Sequence, residues 1–183
     1  EVSGSKWYAE YDPENRIVQL DRSGQTTRYV YDGLRRRTKV VAGSRCRNLC
    51  YDSTGRLLFE TDADGQIVNF YIYGAGLLIA RVNAARETHF YHCDKTGNVL
   101  ALTEASGQVV AAYAYSPFGE VVSKLGFVED NPFTFTGEYG VMDEGDGLFF
   151  MKHRCYDATT GRFLQKDPIG FGGGINLYAY ADN

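Results

Sequence analysis

A Tyr-Asp pair recurs every 20 residues near the start of this chain, at Tyr11-Asp12, Tyr31-Asp32 and Tyr51-Asp52. The spacing runs on through Tyr71 and Tyr91, with the Asp lost or displaced. Between the pairs lies a second turn signal, in Asp21-Arg22-Ser23-Gly24-Gln25, Ala42-Gly43-Ser44 and Asp62-Ala63-Asp64-Gly65-Gln66, and later in Ala105-Ser106-Gly107-Gln108. A fixed period marks a repeat architecture, in which each unit is one supersecondary element. Each unit here reads as strand, Gly turn, strand, Tyr-Asp turn. Residues 11 to about 115 are therefore expected to form successive antiparallel hairpins in one curved sheet, the Tyr-Asp turns along one margin and the Gly turns along the other.

The strands alternate with period two. In Ile67-Val68-Asn69-Phe70-Tyr71-Ile72-Tyr73 the set Val68, Phe70, Ile72 shares one face and Asn69, Tyr71, Tyr73 the other. An even repeat keeps equivalent tyrosines in similar places along successive hairpins, so an aromatic column is expected. The Asp after each Tyr has a local reason, because its carboxylate can accept backbone N–H groups two residues on. These pairs read as turn formers.

Fourteen Tyr, eleven Phe and twenty-one Gly against four Pro fit many short strands joined by tight turns, hence an all-β chain. A net charge of −4 over 183 residues, with one short basic cluster from Arg35 to Lys39, argues against a nucleic-acid surface. No apolar run reaches the length of a membrane span, and the opening Glu-Val-Ser-Gly-Ser-Lys is no signal peptide. The sequence begins as if cut from mid-chain. Four cysteines, Cys46, Cys50, Cys93 and Cys155, are too few for a disulfide scaffold and are expected as free thiols.

Other constellations point to little chemistry. Cys46 and Cys50 with His89, His92 and Cys93 contain ligand types for zinc, but His89 and His92 face opposite sides of a strand and no C-x-x-C pair is present. Met151, His153 and Cys155 read as packing positions. Gly172-Gly173-Gly174 lacks the strand-then-helix context of a phosphate loop and reads as backbone passing close to backbone. Asp143, Glu144 and Asp146 read as a solvated turn rather than a calcium loop. No cofactor or metal is expected.

The 20-residue units, such as YDSTGRLLFETDADGQIVNFYIYG, resemble the YD repeats of the Rhs protein family, found also in the C components of insecticidal Tc toxins. The segments YHCDKTGNVLALTEASGQVVAAYAYSPFGEVV, NPFTFTGEYG, GLFFMKHRCYDATTGRFLQKDPIG and GGINLYAYADN resemble, in order, the core that follows those repeats. The resemblance implies YD-repeat hairpins over residues 1–112 and an Rhs-associated core over 113–183, incomplete at its C-terminus. It further implies a spiralling shell, capped by that core, that encapsulates a C-terminal toxin and frees it by aspartyl-protease-like self-cleavage. The implied partners are the remainder of the shell, the toxin domain, and secretion-system or toxin-complex proteins, in a protein exported from a bacterium.

Residue by residue, Asp167 in Asp167-Pro168-Ile169-Gly170 matches the first catalytic carboxylate of the family. Proline sets its own φ and restricts the residue before it, so this Asp sits in a fixed turn. Lys166 stands where an Arg commonly precedes that Asp, as a support that keeps the charge without the planar fork. The second carboxylate belongs to a further Asp-Pro motif downstream, and this sequence stops before it, so the chain is expected to be inactive alone. Asp182 matches no catalytic position. Phe133, Phe135, Leu177 and Tyr178 are expected to form a plug, with Arg154 and Arg162 pairing to acidic or carbonyl groups beside it. The alternatives are a non-catalytic YD-repeat scaffold and a cell-surface adhesion or carbohydrate-binding module using exposed tyrosines. An open strand edge near Glu1 favours an edge-paired dimer.

Overall fold

The computed structural model describes residues 7–173 and 175–180. The chain divides into two compact units, residues 1–68 and 69–183. In the first, β1 (Trp7–Tyr11), β2 (Ile17–Arg22), β3 (Gln25–Tyr31), β4 (Arg37–Ala42), β5 (Arg45–Tyr51) and β6 (Leu57–Thr61) form an antiparallel meander in chain order. In the second, β7 (Ile67–Gly74, which starts just before the division), β8 (Leu77–Asn83), β9 (Thr88–Cys93), β10 (Val99–Glu104), β11 (Val109–Tyr115) and β12 (Val121–Gly126) do the same. Among the described residues there is no α-helix. The expected all-β fold of repeated antiparallel hairpins is what forms. In a meander, successive turns alternate between margins, so within the first unit the turns after Tyr11, Tyr31 and Tyr51 share one margin and those after Arg22 and Ala42 the other.

A bulge recurs at each of these Tyr positions. Tyr11 faces Ile17 while Glu10 faces Gln19, which leaves Val18 without an opposite number. The same shift separates Tyr31–Arg37 from Val30–Lys39, Tyr51–Leu57 from Cys50–Phe59, Tyr73–Leu78 from Ile72–Ala80, and Tyr115–Val121 from Ala114–Ser123. An extra residue resets which face a side chain takes. Buried residues on the returning strands therefore lie three apart, as Ile17 with Leu20, Leu57 with Glu60 and Val99 with Leu102, against the simple alternation expected.

The bulges also correct the phase of the repeat. Tyr71 and Tyr91, expected at the turns, lie inside β7 and β9 and are buried. The turn-adjacent equivalents are Tyr73, Cys93 and Tyr115, so the intervals after Tyr51 are 22, 20 and 22 residues (73 minus 51, 93 minus 73, 115 minus 93). Extra residues added in pairs keep the face unchanged, and so Tyr29, Tyr71, Tyr91 and Tyr113 are all buried. On β7 the buried face carries Asn69 and Tyr71, while Phe70 and Ile72 are exposed.

Turn-adjacent tyrosines tie hairpin to hairpin. Tyr31 Oη donates to the Ile17 carbonyl at 2.8 Å, Tyr51 Oη to that of Arg37 at 2.8 Å, and Tyr115 Oη to that of Val99 at 2.6 Å. The guanidinium of Arg16 lies 4.9 Å from the Tyr31 ring centroid and that of Arg36 lies 5.5 Å from Tyr51's.

After β12 the second unit changes character. A strap docks through Arg81 Nη2 donating to the Glu129 carbonyl (2.6 Å), Asn69 Nδ2 to that of Asp130 (3.3 Å) and Tyr91 Oη to Asn131 Oδ1 (2.7 Å). Phe133 follows, fully buried with its ring edge-on to Tyr71 (5.0 Å) and Tyr91 (6.2 Å). A small antiparallel sheet then forms from β13 (Met142–Asp143), β14 (Leu148–Met151), β15 (Arg154–Asp157) and β16 (Arg162–Phe163). Its core joins Phe135, Val141, Phe149, Tyr156, Ala158 and Phe163, with Tyr115, Met151 and Tyr180 packed against them.

Candidate functional site

The Tyr-Asp turns show how this chain uses aspartate. Asp12 Oδ1 accepts the N–H groups of Glu14 (3.0 Å) and Arg16 (2.9 Å), while Oδ2 takes the Arg16 guanidinium. Asp32 does the same with Leu34 and Arg36, and Asp52 with Thr54 and Arg56. At Asp52 the Thr54 hydroxyl and then the Arg56 N–H hold the carboxyl below the usual aspartate range. Each carboxylate closes its own turn and is matched by a charge four residues on.

Asp167 repeats this arrangement with a distant cation. Its Oδ1 accepts the Ile169 N–H at 2.8 Å, its own carbonyl accepts the Gly170 N–H at 3.0 Å, and its N–H donates to the Leu177 carbonyl at 2.8 Å. Its Oδ2 forms an ion pair with Nη1 of Arg154 at 3.0 Å, both side chains being largely buried. Arg154 comes from the start of β15, and its guanidinium lies 3.6 Å from the Phe163 ring centroid. Burial pulls the Arg154 pKa down, and the charge of Asp167 opposes that. Lys166 is exposed. Gln165 is buried, its Oε1 accepting the Cys155 N–H at 2.6 Å, and this fixes the chain entering the Asp-Pro turn.

The segment after Gly174 returns to brace the turn. Phe163 N–H donates to the Tyr178 carbonyl at 3.0 Å, Arg162 bridges to Ala179, and Tyr180 places its ring 4.3 Å from that of Tyr156. The plug expectation is corrected here: Phe133 and Phe135 are buried, but Tyr178 is exposed and Tyr180 packs instead. Residues 176–179 close a turn through Ala179 N–H to the Asn176 carbonyl, so strand alternation does not apply to them. His153, expected as a packing position, is exposed, because Lys152 at φ 56° and His153 form the tight turn between β14 and β15.

The remaining candidates bring little together. Among the described residues no group of three or more His, Cys, Asp or Glu is placed to hold a metal ion. His92 is exposed with Nε2 at 2.9 Å from Thr103 Oγ1, and His89 is buried, its pKa lowered by that burial and then by Arg81. All four cysteines are free, and burial pushes the Cys93 thiol up to about 12. Asp143 accepts from Thr134 Oγ1 (2.9 Å) and the Gly145 N–H (2.7 Å), and burial raises its pKa. Gly170–Gly173 form a 3-10 turn. Asp182 and Glu1 lie outside the described residues. No helix among the described residues is long and apolar enough to cross a membrane.

Two family models match the chain: the one described as Teneurin YD-shell over residues 60–180 and the one described as RHS Repeat over residues 11–45. Among curated proteins, double-stranded DNA deaminase toxin A of Burkholderia cenocepacia is 31% identical over 95% of this chain and 16% of its own length. The tRNA3(Ser)-specific nuclease WapA of Bacillus spizizenii is 30% identical over 100% of this chain and 8% of its own length. The chain thus spans less than a fifth of these relatives. Among solved structures, the crystal structure of TcdB2-TccC3-Cdc42 superposes with a TM-score of 0.73 at 17% identity, covering 94% of this chain and 9% of that one. The Photorhabdus luminescens Tc holotoxin pore gives 0.71 at 16%, covering 98% and 9%. At these identities the likeness is one of fold.

Proposed function

The chain belongs to the teneurin YD-shell family, and from that membership we propose that it is part of a shell that encapsulates a C-terminal toxin in a protein exported from a bacterium. Residues 1–112 supply repeat wall and 113–183 the core in which Asp167 is one half of a self-cleaving carboxylate pair. The observation that carries this is the placement of Asp167: a carboxylate held by Ile169, its backbone held by Leu177, in a turn that proline stiffens. Hydrolysis by two carboxylates needs one ionised, to take a proton from water, and one protonated, to donate to the leaving amine. Like charges in contact cannot both ionise, so a pair shares one proton and supplies both roles. Asp167 contributes one carboxylate, and a second Asp-Pro-x-Gly motif in a longer parent chain contributes the other. Toxin-relative names support a toxic passenger, and the likeness to Tc toxin chains supports assembly with toxin-complex proteins.

The test is mass spectrometry of such a parent at neutral pH. Release of a C-terminal fragment by the parent, abolished in Asp167→Asn, supports the reading. Equal release from both removes Asp167 from the mechanism.

A second reading, a non-catalytic scaffold, draws on the likeness of Asp167 to Asp12, Asp32 and Asp52, which cap turns and pair with arginine in the same way. Adhesion through exposed tyrosines would use Tyr8, Tyr11 and Tyr139, whereas Tyr71 and Tyr91 of the repeat are buried. Edge pairing into a dimer would use strands such as β1 or β12, each of which has one strand neighbour among the described residues. Sedimentation at increasing concentration tests it.

A further inference from the structure

We propose that the strap over the second unit is an acid-released latch, held shut at neutral pH by an uncharged His89 beside the buried Arg81 and let go when His89 takes up a proton. Arg81 and His89 are cross-strand partners on β8 and β9, so both side chains rise from the same face of the sheet. They are only 1% and 8% exposed. The strap covers that face: Arg81 Nη2 donates to the Glu129 carbonyl at 2.6 Å, Asn69 Nδ2 to that of Asp130 at 3.3 Å, and Tyr91 Oη to Asn131 Oδ1 at 2.7 Å. Among the described residues, Arg81 Nε and Nη1 and His89 Nδ1 are buried without a hydrogen-bond partner. The closed cluster thus already holds one cation, and it gives a protonated Nδ1 no acceptor.

The influences on His89 divide. Burial disfavours the imidazolium most and Arg81 on β8 next, while Glu87 just before β9 and Glu104, the partner of His89 on β10, favour it. Both glutamates are exposed, and Glu87 already takes Asn83 Nδ2 at 2.7 Å. Burial and Arg81 prevail, which holds the ring below its ordinary pKa. On the strap, Glu129 is exposed and Asp130 presents its carbonyl to Asn69. Stability that depends on a neutral His89 is therefore present above the ordinary value, near 6.5, and is lost as pH falls from there through the closed-state one. The strap is the element placed to yield. Among the described residues it joins no strand of the sheet, and Asp130 stands at φ 56°, a left-handed conformation that an L residue keeps only where its surroundings impose it. Lifting it lets solvent reach both basic groups and leaves the strands paired. It also frees Thr134, just beyond the strap, whose carbonyl takes the Val99 N–H at 2.9 Å. Acid thereby loosens the hold of the small-sheet core on the repeat sheet, whether or not that core cleaves.

The experiment is amide exchange in the 183-residue polypeptide at about pH 7.5 and about pH 5, corrected for intrinsic rates, together with an NMR titration of its three histidine rings. The Val99 N–H reports whether the segment at Thr134 stays on the sheet, and the amides paired between β10 and β11 report the sheet itself. In wild type the protection of Val99 is expected to fall about tenfold between the two conditions while the β10–β11 amides keep theirs. In His89→Gln, which carries no charge in either, the fall is expected to stay below about twofold. Carboxylates titrate alike in the two proteins, so the difference isolates His89. Val99 protection that does not fall in wild type, an equal fall in His89→Gln, or a fall shared by the β10–β11 amides overturns the latch. If circular dichroism shows His89→Gln unfolded at neutral pH, the wild type decides alone. Its His89 ring is then expected to titrate at lower pH than the exposed His92 and His153, in step with the loss of Val99 protection. A His89 that titrates together with those two, or a loss of protection at a pH where His89 is still neutral, overturns the latch as well.

Discussion

Aspartate carries the local structure of this chain, and its titration should be visible in stability. Asp52 is held below its ordinary pKa by the Thr54 hydroxyl and the Arg56 and Thr54 N–H groups. A depressed folded-state pKa contributes stability that is present above the unfolded value, near 4, and is lost as pH falls through the folded one. Asp52→Asn keeps an acceptor for the turn but has no charge to lose. The melting temperature of wild type is therefore expected to exceed that of Asp52→Asn at pH 6, and the gap is expected to shrink as pH falls below about 4. A gap constant from pH 6 to pH 2 would show that the ionised carboxylate contributes nothing.

Between elements, space decides. Gly126 ends β12 at φ 67°, and a Cβ there would sit 2.1 Å from the Val110 carbonyl oxygen and 2.9 Å from its carbon. Backbone cannot move aside as a flexible side chain can, so Gly126→Ala is expected to lower the denaturation midpoint by the equivalent of about 1–3 kcal/mol. An unchanged midpoint in urea would mean that β12 shifts freely on β11. Phe135 is the hub of the small sheet's core, its ring centroid 5.5 Å from that of Phe149, 6.3 Å from Tyr156 and 6.0 Å from Tyr115. Phe135→Ala is expected to cost about 3–5 kcal/mol. A thermal melt matching wild type would remove Phe135 from the core that holds the Asp-Pro turn.

For the molecule as a whole, one carboxylate of a pair performs half of the chemistry. The purified 183-residue polypeptide has one Asp-Pro-x-Gly motif. It is expected to keep its full mass through prolonged incubation at neutral pH and to leave added peptides uncut. Scission between Asp167 and Pro168 in acid is ordinary chemistry of that bond and does not bear on the test. A fragment appearing at neutral pH would show that a second carboxylate within these residues completes the pair.

The sequence by itself determined whatever a few neighbouring residues decide. The Tyr-Asp turns, the all-β class and the restrained Asp167 were legible because an Asp carboxylate reaches N–H groups two and four residues on, and glycine and proline set dihedrals at their own positions. The pairing of Arg154 to an acidic group was anticipated, but its choice of Asp167 was not, since 13 residues (167 minus 154) and the pairing of two strands separate them. The tertiary structure decided the recurrent bulge, which no composition marks, and showed that two residues added between Tyr51 and Tyr73 put Tyr71 and Tyr91 on the buried face and Tyr73 and Cys93 at the margin. It also decided the strap, where Asn69 reaches Asp130 across 61 residues and Arg81 reaches Glu129 across 48. On β7 that docking buries Asn69 and leaves Phe70 exposed, the reverse of what hydrophobicity alone assigns. Burying a polar side chain is tolerable only where hydrogen-bond partners meet it, and those partners exist only once the distant segment has folded onto the sheet.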